Sequence, residues 1–204
     1  MNKAMFRYGL FLVVTVALLF GCAHDKNSKT ENQVLLQFAD LDKTSFFPTG
    51  KLAYKVYGMM VSDPFPFNNI LEGTDYIAMP NGSDVVIKGT IDELWRTPLE
   101  RVVTTYTKEN GSPLTINDFI PDQYIPMIAK ESGGYFACFV SKNNQIEIQT
   151  AWGDTLIGNR PGVPHGEGDY VLCRAGPDGS PDFSDVWIVN GAVFPSTYDM
   201  TQKK

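Results

Sequence analysis

Two apolar runs, Tyr170-Val-Leu-Cys173 and Val186-Trp-Ile-Val189, flank the Gly/Pro/Asp-rich stretch Gly176–Asp185. Short apolar runs on either side of such a turn cluster predict strand, loop, strand. Asn190-Gly191 then precedes a third short run, Ala192-Val-Phe194, as a two-residue hairpin turn would. The other segments are expected to pack around this small antiparallel sheet.

Upstream, Asp75–Met79 and Asp84–Lys88 predict a hairpin with Asn81-Gly82 at its turn. Tyr135–Val140, a polar turn at Lys142–Gln145 and Ile146–Trp152 predict another, with Ile146, Ile148, Thr150 and Trp152 on one face and Glu147 and Gln149 on the other. Leu52, Tyr54 and Val56 alternate with Ala53, Lys55 and Tyr57, again a strand period, whereas Val34–Phe38 is apolar but ambiguous in type. The words Asp75-Tyr…Asp84-Val and Asp169-Tyr…Asp185-Val recur, each followed by a Thr-Tyr pair. This pattern fits either a diverged duplication or two generic hairpins.

Between the β segments the period lengthens. Leu99, Val102, Val103 and Tyr106 follow helical spacing, with Thr97 as N-cap, Pro98 at the first position, Glu100 at the third and Asn110-Gly111 as the stop. Thr115–Asp118 caps a second short helix through Ile120, and Asp122–Ser132 is expected to continue it as far as Gly133-Gly134. The prolines of Asp63-Pro-Phe-Pro-Phe67 exclude a central strand and predict a loop. Its Phe65 and Phe67 either plug the core or, if exposed, form a recognition surface. The fold class is therefore α+β, mainly antiparallel β, with hairpin-rich sheets and a short helical segment in the middle. One globular body is expected over 33–204, with hairpin and helices in 33–132 and a β part in 133–204.

The first 21 residues change the picture. Lys3 and Arg7 precede the apolar run Tyr8–Phe20, whose thirteen residues cover about 20 Å, short of the roughly 30 Å needed to cross a bilayer. A basic start followed by an apolar stretch of this length reads as a secretory signal. Its end, Leu19-Phe20-Gly21-Cys22, resembles the lipobox of bacterial lipoproteins, with Phe20 where that family has a small or β-branched residue. The resemblance implies lipidation of Cys22, anchorage to the membrane through that lipid and, because Ala23 follows rather than Asp, an outer-membrane location facing the periplasm. Residues 23–32 are polar and aperiodic, a flexible tether of roughly 16–19 Å.

Cleavage before Cys22 removes two of the 17 basic residues and none of the 23 acids, leaving 15 against 23 and a formal charge of −8. An acidic chain without a basic cluster argues against nucleic acid or anionic lipid as partner. At 43% apolar and 12% aromatic residues it is rich enough for a proper core. In an oxidising compartment Cys138 and Cys173 are expected to form one disulfide, worth up to about 4 kcal/mol; the alternative is two separate buried thiols.

Candidate chemistry is sparse. His165, Glu167 and Asp169 alternate with glycines and on an extended chain would point to one side, as a metal or acid–base site wants. Asp178, Asp182 and Asp185 flank a tight loop and offer oxygens to Ca²⁺, or cap Asx turns. No GxSxG elbow, phosphate-cradling loop or CxxC pair is present, and no cofactor is implied. The long loop Gly153–Gly168 is a candidate functional segment. Over roughly the last 50 residues, Trp152-Gly, Gly168-Asp-Tyr-Val, Asp185-Val-Trp-Ile-Val and Phe194-Pro-Ser-Thr-Tyr198 resemble a small β module of uncharacterised bacterial and phage proteins, which implies a β fold and no activity.

The expected function is non-catalytic: an envelope lipoprotein that binds a protein or glycan through Phe65, Phe67, Trp152, His165, Glu167 and Asp169. One variant is an acidic inhibitor or immunity protein against an envelope-targeted toxin. The rival class is a metal- or carboxylate-dependent hydrolase centred on His165, Glu167 and Asp169.

Overall fold

The computed structural model describes residues 33–80, 83–151 and 153–201. The expected leader, Cys22, the tether, the Asn81-Gly82 turn and Trp152 lie outside them. Fourteen strands run in chain order: β1 Val34–Gln37, β2 Phe47–Lys51, β3 Lys55–Met59, β4 Phe65–Asn69, β5 Thr74–Ala78, β6 Asp84–Lys88, β7 Leu94–Pro98, β8 Tyr106–Thr107, β9 Ile125–Ala129, β10 Ser132–Ser141, β11 Asn144–Gln149, β12 Thr155–Gly158, β13 Gly168–Ala175 and β14 Pro181–Val189. Two short helices, α1 Leu99–Thr105 and α2 Phe194–Thr197, complete the chain with three single-turn 3-10 segments. The fold is α+β and mostly antiparallel.

The strands form four sheets, ordered β1-β11-β12, β14-β13-β10-β2, β7-β6-β3-β9-β8 and β4-β5. β13 lies inside its sheet and is covered on both faces, which is why its sequence reads as an unbroken apolar run. Val171 and Cys173 face one core with Cys138, Val140, Ile146, Ile148 and Val186, so the β1-β11-β12 sheet packs on this side. Tyr170 and Leu172 face the other way, against Ala137, Phe47 and Phe194 of α2. Burying each such aliphatic side chain contributes about 1.5–3 kcal/mol. β6 divides its residues in the same manner: Val85 and Ile87 meet Val102 of α1, while Val86 meets Phe67 and Ala78 of the β4-β5 pair.

The predicted hairpin of β13 and β14 is present, with Leu172 opposite Trp187. Other pairings differ from expectation. β5 pairs with β4, and β6 lies between β3 and β7, so Asp75–Lys88 is no hairpin and the apparent repeat joins segments with different topology. β10 and β11 part into different sheets, although Ile146, Ile148 and Thr150 are buried and Gln149 exposed, as their alternation predicts. The Asp63–Phe67 loop is strand from Phe65 onwards, its prolines tolerated because β4 has only one strand neighbour.

α1 starts two residues after Thr97, which belongs to β7, and no side chain caps it. Thr115 and Asp118 do form a reciprocal capping box around a 3-10 turn. The helix expected over 122–132 is instead β9. Pro126 pairs with Tyr57 on one side, while β8 reaches only Ile128 and Ala129 on the other, leaving the proline without a strand neighbour there. Gly133-Gly134 is a bulge in β10, where three steps from Ser132 to Tyr135 oppose two from Lys51 to Thr49; Gly134 has φ +78°, which glycine adopts without strain. Ala192-Val193 is a turn into α2 rather than a strand, closed by the Val193 and Phe194 N–H groups donating to the Asn190 carbonyl.

Candidate functional site

The residues singled out from sequence do not meet in one place. Gly166 has φ +57° and the Gly168 N–H donates to the His165 carbonyl at 2.9 Å, so the chain turns where extended geometry was expected. Glu167 therefore swings out to solvent beside Lys142, at 3.1 Å, while Asp169 is buried. His165 is half-buried, and its Nδ1 has no partner among the described residues. Phe67 is a core residue stacked between Phe65 and Tyr76. Asp178 and Asp182 each accept from the backbone and hydroxyl of the serine two residues on. These Asx turns hold both carboxyls below the usual carboxylate range, chiefly through the serine hydroxyls. The second turn fills a bulge of β14, where Cys173 faces Val186 and Arg174 faces Asp182, and Asp185 lies 4.0 Å from Arg174. Among the described residues no three His, Cys, Asp or Glu side chains converge as a metal site.

Cys138 and Cys173 are free buried thiols, not a disulfide. Cys138 lies opposite Val171 and Cys173 opposite Phe136, so the two are diagonal neighbours. Diagonal pairs sit about 7–8 Å apart, beyond the roughly 4.4–6.8 Å over which a disulfide joins two Cα atoms. Burial pushes both thiols up, Cys173 to about 11.

A cleft of about 890 Å³ opens where β5 and β7 face β12, β14 and α2. Its walls carry Tyr54, Tyr76, Trp95, Trp187 and Tyr198, all half-buried, so that each offers aromatic surface to the cavity. Behind Tyr198 the rings continue as a stack, Tyr170 on Phe194 at 3.8 Å between centroids and Phe194 on Tyr198 at 4.9 Å, which fixes that wall on the core. Tyr135 meets both Trp187 and Tyr198 edge to face at 6.0 Å. Asp154, Thr155 and Arg160, from the loop expected to be functional, also line the cleft, as does Asp169.

Lys51 stands at the end of β2, beside the β10 bulge, with its Nζ 5.5 Å from the Tyr54 ring and 5.8 Å from the Tyr106 ring. Burial depresses its ammonium below the usual lysine value. Burial also raises the phenols: Tyr54 well above the ordinary range, Tyr106 to about 12 with help from the Glu93 charge, and Tyr198 to about 12. Asp169 is raised by burial too, although the Asn159 and Gly191 N–H groups and the nearby His165 charge act against the shift. Apart from Asp169 and the 154–160 segment, none of these cleft residues stood out in the sequence. They come from separate stretches of the chain that meet only once the strands have paired.

Broad aromatic faces suit the C–H faces of flat or ring-shaped ligands, and the same cleft carries charged groups, among them Lys51, Glu93, Arg96 and Arg160. The chain matches no protein-family model, no curated protein and no solved structure.

Proposed function

We propose that this protein is a lipid-anchored envelope lipoprotein, held on Cys22 at the outer membrane, whose folded body binds a glycan in the periplasm without transforming it. The observation that carries the reading is the cleft walled by Tyr54, Tyr76, Trp95, Trp187 and Tyr198. A pyranose ring is apolar on its C–H faces and polar at its rim, and this cavity has that same division. A hydrolase centred on His165, Glu167 and Asp169 is less well supported, since Glu167 points to solvent and both Asp169 oxygens are taken by backbone N–H groups.

Two experiments test the two halves of the proposal. Labelled palmitate should enter the protein in bacterial cells and be lost on Cys22→Ser; unlabelled wild type would contradict the anchor. On an array of bacterial polysaccharides, the full chain in detergent should retain glycans intact. Release of shortened products would favour the hydrolase.

A further inference from the structure

The charged groups around the cleft are almost all satisfied within the protein. Arg96 reaches Asp84 at 3.4 Å, and Arg160 donates to the Glu72 carbonyl at 2.7 Å. Glu72 accepts from the Tyr76 hydroxyl, and Glu93 from the Ile91 N–H at 2.9 Å. Asp169 accepts from Asn159 and Gly191, and Asp154 also has a partner. Lys51 is the exception. Among the described residues no carboxylate pairs with it and no acceptor meets any of its three N–H donors. Its two tyrosine contacts, at 5.5 and 5.8 Å, lie at the far edge of cation–π range.

A partly desolvated ammonium with open donors is costly in the free protein, and a ligand anion beside it recovers that cost. A cationic site left incomplete at a binding wall thus selects for its complement. A single ammonium matches a single negative charge, which is that of a carboxylate. Of the two cleft arginines, Arg96 is paired with Asp84, and Arg160, with no carboxylate partner among the described residues, gives an N–H to the Glu72 carbonyl.

We propose that Lys51 sets the specificity of the cleft by receiving a carboxylate, so that the ligand is an acidic saccharide rather than a neutral one. This rests on the glycan-binding reading above. The carboxylate sits at the end of β2, against Tyr54 and Tyr106, while the sugar rings extend towards Trp187 and Trp95.

The test uses the full chain in detergent and two pairs of saccharides, the acidic member of each carrying carboxylates that the neutral member lacks. One pair is an N-acetylglucosamine tetramer and its counterpart with alternate N-acetylmuramic acid; the other is cellotetraose and the corresponding tetraglucuronate. Calorimetric titration should show at least one acidic member binding about tenfold more tightly than its neutral partner. Lys51→Met should abolish that preference, with urea unfolding confirming an intact fold, and Lys51→Arg should keep part of it. Equal affinity within both pairs, or a preference that survives Lys51→Met, would overturn the role of Lys51 and leave the glycan reading standing. No binding of any of the four would overturn the glycan reading, and this inference with it.

Discussion

Asn159 and Asp169 exchange two hydrogen bonds: the Asn159 N–H donates to Asp169 Oδ2 at 2.6 Å, and the Asp169 N–H donates to Asn159 Oδ1 at 2.8 Å. Asn159 is fully buried with φ +54°, and its Nδ2 donates to the carbonyls of Val140, Ser141 and Asn144. Asp169 Oδ1 accepts from Gly191 at 2.8 Å. One pair of side chains thus ties β12, the β10–β11 corner, the start of β13 and the turn before α2. Those are the pieces that build the β12–β14 wall of the cleft.

Removing either member leaves buried donors and acceptors without partners, at about 1–3 kcal/mol each. Asn159→Ala should therefore destabilise the protein by roughly 3–5 kcal/mol. Asn159→Gly, which suits the backbone conformation, should cost nearly as much, because the loss lies in hydrogen bonds rather than strain. Urea unfolding followed by fluorescence measures both. A Gly variant close to wild type would show that the bonds carry little.

The raised carboxyl of Asp169 and the lowered ones of Asp42, Asp118, Asp122, Asp178 and Asp182 act in opposite pH windows. Asp169 binds its proton more tightly folded than unfolded, so its contribution is full below 3.8 and fades as pH rises through its folded value. The five lowered groups contribute above 3.8 and lose that contribution as pH falls through their folded values. Unfolding free energy measured from pH 7 to pH 3 should rise as pH falls through the folded value of Asp169 and decline again as the five lowered groups protonate, and the rise should be lost in Asp169→Asn. A steady decline from neutral pH would contradict this.

Tyr54, Tyr106 and Tyr198 keep their protons in the fold well past the ordinary value of 10.0. The unfolded chain ionises first, so the stability they provide is present below pH 10 and is lost as pH rises towards 12. Phenolate absorbance should show these three ionising together with cooperative unfolding. Smooth ionisation while circular dichroism stays native would mean that these phenols are solvated.

Two thiols should react per denatured chain at Cys138 and Cys173, even in protein taken from an oxidising compartment. The intact mass should not change on reduction, nor should the melting temperature. A gain of two hydrogens on reduction would mean that β10 and β13 shift from the diagonal register.

Much of the fold was legible wherever structure is local. Tyr170–Cys173 and Val186–Val189 pair as two apolar runs around a turn cluster should, and Leu99, Val102 and Tyr106 pack as one face. The choice of partner was not legible: nothing in Asp75–Ala78 favours β4 over β6, two neighbours equally near along the chain, and nothing in Val34–Gln37 reveals a distant parallel partner in β11. Gly166 hid the site error, because a positive φ reverses which way Glu167 points and alternation presumes an extended chain. The cleft was invisible for the same reason as the sheets: Lys51, Tyr76, Trp95 and Trp187 meet only once the strands have paired.

The most direct test is a tryptophan-fluorescence titration of the full chain with an acidic envelope glycan, in wild type and in Trp95→Leu and Trp187→Leu, with urea unfolding of each as a control. Saturable binding that weakens at least about tenfold in both variants, while their folds persist, is the predicted result. Binding that neither substitution affects would place the ligand elsewhere and contradict the account.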